Sequence, residues 1–225
     1  MSRCENCIIR QLNALKALSK DELKAISDSK TERRIKKGEK IFDENESLDG
    51  VFCVRSGASK LSKLQENGKD QIVKIAGSGE VLGKRSLIAE EKANLSATAL
   101  EDMDVCFIPK KEITAKIYTN PAFTKELLQQ LAQDLKNSEN STIDFASKTV
   151  TQRLAHTLLH LKSQAGEDRD GFLSLSLTRE DLASVIGTAT ESCIRHIATF
   201  KKKGFIETQA KRIKILDLEG LKALE

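Results

Sequence analysis

Near Pro109 the apolar periodicity of the chain changes, and that change restricts the fold more than any other feature of the sequence. From Arg34 to Pro109, short runs rich in β-branched and aromatic residues are separated by Gly, Asn and Asp, which is the pattern of closely spaced strands. The predicted strands include Lys40–Phe42, Gly50–Arg55, Ser59–Leu64, Gln71–Ile75 and Asp104–Ile108. Glu66-Asn67-Gly68-Lys69 predicts a hairpin turn, because Asn-Gly takes the positive φ values of a tight primed turn. Strands spaced this closely form a sandwich or barrel. Beyond Pro109 the period is helical, so the fold class is α+β. At 225 residues, one large domain and one small one are expected.

The helical signals have recognisable ends. Ser19-Lys20-Asp21-Glu22 is a capping-box pattern opening a helix over residues 19–29. Pro121 stands at a helix start, and Leu127, Leu128, Leu131 and Leu135 follow as an apolar stripe over three turns. Leu128, Leu131 and Leu135 have coiled-coil spacing, whereas the next seam positions, Ser138 and Thr142, are polar. A stripe on one helix does not say what it packs against, so a core-facing helix and a seam between two copies both remain open. Val150–Leu161 predicts another amphipathic helix, Gln164–Gly171 an exposed loop, and Phe172–Leu177 a strand.

From Thr178 onward the residues describe two helices joined by a turn. Thr178-Arg179-Glu180-Asp181 caps the first helix, whose buried face is Leu182, Ala183, Val185 and Ile186. Gly187 supplies the turn, and Ile194, Ile197 and Phe200 are placed to hold the second helix down. Lys201-Lys202-Lys203-Gly204 closes that helix with positive charge and a glycine cap. Phe205–Thr208 and Arg212–Leu216 then read as a wing hairpin. Together this is helix-turn-helix anatomy, which places a helix in the DNA major groove. Glu191 and Arg195 project from the same face of the second helix. Arg bonds guanine bidentately and Glu accepts from cytosine, so they are candidate base readers. An ordinary surface ion pair is the competing explanation.

Charge supports a nucleic-acid partner by its placement rather than its sum. The net charge is only +4, yet Thr178–Leu216 alone holds eight basic residues against four acidic ones. No apolar run approaches a membrane span, and the first twenty residues lack a signal-peptide core, so a cytoplasmic location with reduced thiols is expected. Five cysteines, Cys4, Cys7, Cys53, Cys106 and Cys193, are an odd and scattered set, which argues against a disulfide framework. There is no P-loop, no His-rich metal spacing and no Ser-His-Asp order, so an enzyme is not expected.

These residues resemble the Crp/Fnr group of bacterial transcription regulators, closer to its Fnr branch, and the resemblance covers nearly the whole chain. The N-terminal part of the match is Lys37-Gly38-Glu39-Lys40-Ile41-Phe42, Val54-Arg55-Ser56-Gly57 and Gly79-Glu80-Val81-Leu82-Gly83, similar to the turns of a cyclic-nucleotide-binding-like jelly roll. The domain order it implies is an N-terminal cysteine segment over 1–18, a jelly roll over 19–118, a dimerisation helix over 119–146 carrying Leu128, Leu131 and Leu135, and a winged helix-turn-helix over 147–225. It implies a homodimer that binds double-stranded DNA, reads a TGA-type palindrome and works with RNA polymerase. Glu191 and Arg195 become the base readers, with Thr190 and Ile194 at positions that vary within the family. Phosphate contacts fall to Thr178, Arg179, Thr188, Lys201, Lys211 and Arg212, with Thr188 standing in at Ala189, where the family has Ser or Thr.

The effector pocket implied by the resemblance comprises Gly83, Lys84, Arg85, Ser86, Leu95 and Ser96. Where the family's cyclic-AMP pocket has an acid for the ribose and an Arg for the phosphate, this chain has Lys84 and Leu95, so cyclic AMP is not the expected effector. Arg85 reads as an exposed turn residue or as an anion binder.

Cys4-Glu5-Asn6-Cys7 resembles the family's cluster-binding segment and Cys106 its distant ligand, which would make Cys4, Cys7 and Cys106 iron–sulfur ligands. The third N-terminal ligand is replaced by Asn13; Cys53 substitutes if the barrel brings it near, and otherwise is a small buried hydrophobe. A thiol switch, adventitious zinc and a relic pair stay open, as does a redox protein working through Cys4 and Cys7 with DNA binding secondary.

Overall fold

A computed structural model describes residues 3–66 and 68–225; Asn67, at the centre of the expected hairpin turn, lies outside the described residues. The chain divides into two compact units, one of Met1–Lys63 with Val73–Asn137 and one of Leu64–Ile72 with Ser138–Glu225.

The first unit opens with three short 3-10 turns, Cys4–Asn6, Ile8–Leu12 and Ala14–Ala17, and then α1 (Lys20–Ser29). The predicted capping box holds α1: Ser19 Oγ accepts from the Glu22 N–H, and the Glu22 carboxylate accepts from the Ser19 N–H. Eight strands follow as two four-stranded antiparallel sheets. One orders β1 (Thr31–Ile35), β8 (Met103–Pro109), β3 (Gly50–Ser56) and β6 (Val81–Leu82); the other orders β2 (Lys40–Phe42), β7 (Ser96–Ala99), β4 (Ser59–Leu64) and β5 (Asp70–Ala76). Residues of both sheets, among them Phe42, Phe52, Val54, Ala97, Ala99 and Val105, form one buried cluster. This is how two antiparallel sheets bury their inner faces. A second cluster joins the N-terminal turns, α1 and the outer face of β3 and β8 to Ile113 of α3 (Lys110–Thr119) and to Phe123 and Leu127 of α4 (Pro121–Ser147).

Several elements depart from the sequence expectation. β1 and β7 were not anticipated, because β1 is an exposed polar edge and β7 packs through small Ala97 and Ala99. Lys84–Ala89 is a helix, α2, so Arg85 lies in a helical first turn rather than in a β-turn. Phe172–Leu177 is no strand: Phe172, Leu173, Leu175 and Leu177 are buried, but Leu173 makes only an isolated bridge with Glu167 and donates its N–H to the Ile213 carbonyl.

The second unit is built from α5 (Val150–Ala165), α6 (Arg179–Ile186), α7 (Thr190–Lys202), the hairpin β9 (Ile206–Gln209) and β10 (Arg212–Ile215), and α8 (Leu218–Lys222). Thr149 caps α5 in a capping box with Gln152. Leu154, Leu158, Leu182, Ile186, Phe200, Ile206 and Leu221 are among its largest fully buried side chains. Leu64–Ile72 belongs to this unit through Ser184 of α6, whose Oγ donates to the Asp70 carbonyl and accepts from the Ile72 N–H, each at 2.7 Å.

Candidate nucleic-acid interface

The second helix of the pair, α7, is amphipathic because its sequence puts Cys193, Ile197 and Phe200 on one side, and all three are buried. Ile194 does not hold the helix down as expected; it is 49% exposed and stands with Glu191 and Arg195 on the outward face. Neither the Glu191 nor the Arg195 side chain has an ion-pair or hydrogen-bond partner among the described residues, so the surface ion pair is not formed. Both carry their full donor and acceptor capacity outward. Thr190 is half-buried at the start of α7, where Ala189 occupies the cap position without a side-chain hydrogen bond. The half-buried Thr188 precedes this uncapped position.

The turn is set by Gly187 at φ +62°, and Phe145 from the end of α4 lies directly over it. Arg153 fixes the same corner, donating from Nε to the Ile186 carbonyl at 2.8 Å and from a terminal nitrogen to the Lys148 carbonyl at 2.5 Å. Its guanidinium also lies 5.4 Å from the Phe145 ring centroid. Arg153 did not stand out in the sequence, since its Ile186 partner is a backbone carbonyl remote along the chain.

The basic residues of this unit fall into two sorts. Lys201, Lys202, Lys203 and Lys211 are exposed, the first three at the C-terminal end of α7 and Lys211 in the turn of the wing, where Ala210 takes φ +51°. Arg179 and Arg212 are engaged within the protein. Arg179 donates to the Ala210 carbonyl at 3.0 Å, tying α6 to the wing, and burial lowers its pKa. Arg212 pairs with Asp168 at 2.7 Å and Asp170 at 3.0 Å while its guanidinium stacks 4.1 Å from the Phe172 ring centroid. Thr178 caps α6, accepting from the Asp181 N–H at 3.0 Å.

In the first unit, the residues of the expected effector pocket do not present a free cation. Gly83 is left-handed and leads into α2, where Lys84, with a side chain 12% exposed, pairs with Asp134 of α4 at 2.8 Å. Lys74 reaches the same carboxylate at 2.9 Å and Glu80 at 3.0 Å. Burial pushes the Asp134 pKa up, but the two ammonium groups outweigh it and hold the carboxyl below its usual range. Arg85 pairs with Glu91 at 3.0 Å, Ser86 is buried, Ser96 accepts from the Glu44 N–H, and Leu95 is half-buried. The stripe on α4 divides between two directions. Phe123 and Leu127 are buried in the unit, Leu131 is half-buried, and Leu128 and Leu135 are 60% and 61% exposed.

A profile of the Crp-like helix-turn-helix domain matches residues 152–224, and one of the cyclic nucleotide-binding domain matches residues 32–120. The transcriptional activator protein FnrA of Stutzerimonas stutzeri is 27% identical over 227 residues, covering 99% of this chain and 92% of that protein. The anaerobic regulatory protein of Haemophilus influenzae is 29% identical over 223 residues, covering 97% of this chain and 86% of that protein. The solved structure of FixK2 from Bradyrhizobium japonicum shares the fold with a TM-score of 0.79 at 24% identity, covering 87% of this chain and 97% of that one. Among the described residues, no helix is long and apolar enough to cross a membrane.

Proposed function

The chain belongs to the Crp/Fnr family of transcription regulators, and on that premise we propose that it acts as a homodimer reading a palindrome with TGA-type half-sites. The observation that carries this reading is the pair Glu191 and Arg195, both exposed and unengaged on the face of α7 opposite its buried residues. A side chain already held in an ion pair would have to break it before meeting a base; these two meet the groove directly. Ile194 and Thr190 flank them and contribute to the outer bases of the half-site. Lys201, Lys211, Thr178 and Thr188 contact phosphate, while Arg179 and Arg212 support the wing through their internal partners and meet phosphate at its edge.

Pairing of two copies is supported by Leu128 and Leu135, which a monomer would leave in water on a helix that buries Phe123 and Leu127 in its own unit. The dimer sets the spacing of the two half-sites, works on cytoplasmic DNA and meets RNA polymerase there. Its effector is not cyclic AMP: Lys84, where the nucleotide's ribose partner would be an acid, is instead neutralised by Asp134.

Titration of a TGA-containing palindrome and a scrambled duplex by fluorescence anisotropy tests the base contacts. Glu191→Ala and Arg195→Ala are each expected to cost about 1–3 kcal/mol of discrimination, and discrimination unchanged in both variants overturns the assignment. Leu128→Asp with Leu135→Asp is expected to yield a monomer by sedimentation and to abolish palindrome binding. A variant that remains dimeric refutes the seam.

A further inference from the structure

The outward face of α7 carries one side chain that neither charge nor hydrogen bonding accounts for. With about 100° of turn per residue, Glu191 stands near the middle of that face, Ile194 about 60° to one side and Arg195 about 40° to the other. Ala198, one turn beyond Ile194, prolongs the apolar side and is exposed like it. Ile194 is 49% exposed, while Cys193, Ile197 and Phe200 hold the helix from its opposite side. Packing of α7 therefore does not depend on Ile194, which is left as a large apolar group in water beside two unengaged charges.

Base edges in the major groove present hydrogen-bond donors and acceptors at every pair, and thymine alone among the four bases adds an apolar group, its C5 methyl. Glu191 and Arg195 have the chemistry for the polar edges; Ile194 has none to offer them. Set against guanine, adenine or plain cytosine, it would strip water from polar atoms and return no hydrogen bond, which costs free energy. Set against a C5 methyl, it buries apolar surface on both sides of the contact. The side chain is also stiff. Isoleucine is branched at Cβ and keeps essentially one χ1 rotamer in a helix, so it gives up less side-chain entropy on docking than a lysine or arginine would.

We propose that Ile194 is a specificity-determining residue that reads the C5 methyl of a pyrimidine, thymine or 5-methylcytosine, at a position flanking the TGA-type core. The inference rests on the base contacts of Glu191 and Arg195 proposed above and supplies the chemistry of the adjoining position. It makes the affinity of this regulator sensitive to a single methyl group in each half-site.

The test is fluorescence anisotropy of the full chain with palindromic duplexes that carry each of the four bases in turn at the positions flanking the TGA core. At the preferred position thymine is then replaced by uracil, which keeps every hydrogen-bonding group and lacks only the methyl. Wild type is expected to lose about fourfold in affinity per half-site, the contribution of one buried methyl group. Cytosine and 5-methylcytosine at the same position form the reciprocal arm, in which methylation is expected to tighten binding by a similar factor. Ile194→Ala is expected to bind thymine and uracil duplexes equally while keeping its preference for TGA over a scrambled core. Ile194→Val, which keeps the branch at Cβ, is expected to retain part of the methyl sensitivity. Both substitutions lie on an exposed surface and should leave urea unfolding unchanged, which separates lost contact from lost fold. Equal affinity of wild type for thymine and uracil, with TGA preference intact, overturns the methyl contact alone, as does methyl sensitivity that persists in Ile194→Ala. A wild type indifferent to the TGA core overturns the reading of Glu191 and Arg195, and this inference with it.

Discussion

Gly187→Ala tests the turn that aims the recognition helix. The residue sits at φ +62°, and a Cβ built there would lie 2.5 Å from Cε1 of Phe145. The left-handed backbone alone costs an alanine about 1–2 kcal/mol, and overpacking against the ring adds about 1–3 kcal/mol. Gly204 isolates the first contribution, since it has φ +76° and open space where its Cβ would be. Gly204→Ala should therefore lose about 1–2 kcal/mol and Gly187→Ala about 2–5 kcal/mol. The assay is hydrogen exchange of the α6 and α7 amides in the full-length chain, where each 1.4 kcal/mol of lost protection accelerates exchange about tenfold. Phe145→Ala completes the cycle: in that background the excess cost of Gly187→Ala over Gly204→Ala should shrink to within about 0.5 kcal/mol of zero. Equal costs for the two glycines in the wild-type background, or an excess untouched by removing Phe145, would refute the argument that ring contact sets this turn.

Two further expectations follow from the charged groups. Lys211→Ala, exposed at the wing turn, should weaken binding to specific and scrambled duplexes alike and reduce the slope of log affinity against log salt by about 1; selective loss on the palindrome alone would argue against a phosphate contact. Asp134 has a folded pKa below its ordinary 3.8, so its pairing with Lys74 and Lys84 stabilises the protein above the unfolded pKa and is lost as pH falls through the folded one. Asp134→Asn should accordingly lower stability at pH 7 and flatten the acid loss below about pH 4, as followed by urea unfolding across pH; an unaltered acid limb would show that this pair carries none of it.

What could be read from the sequence divides along local and non-local lines. The capping box at Ser19 and the cap at Thr178 are satisfied by atoms a few residues away, so their residues announce them. The outward placement of Glu191 and Arg195 is equally local, because helical spacing alone puts them on one face. By contrast, the leucine stripe of α4 was ambiguous for a physical reason: both readings hold part of the truth, with Leu127 facing the protein and Leu128 facing water one residue on. The leucines from Phe172 to Leu177 misled because alternate burial is satisfied by a bent segment as well as by a strand, and only the partner backbone, here Ile213, decides which.

The thiols are the extreme case. In the sequence Cys53 is a strand cysteine that reads as a small buried hydrophobe unless the barrel brings it near the other thiols. Its meaning comes from register: β3 and β8 align Cys53 with Cys106, whereas a slip of one residue would set Cys53 opposite Val105 or Phe107 and turn the sulfurs to opposite faces. The core therefore guards the register. Phe52, Val54 and Val105 fill the space between the sheets, so a slip that separates the two sulfurs would also drive those apolar side chains out of their cluster.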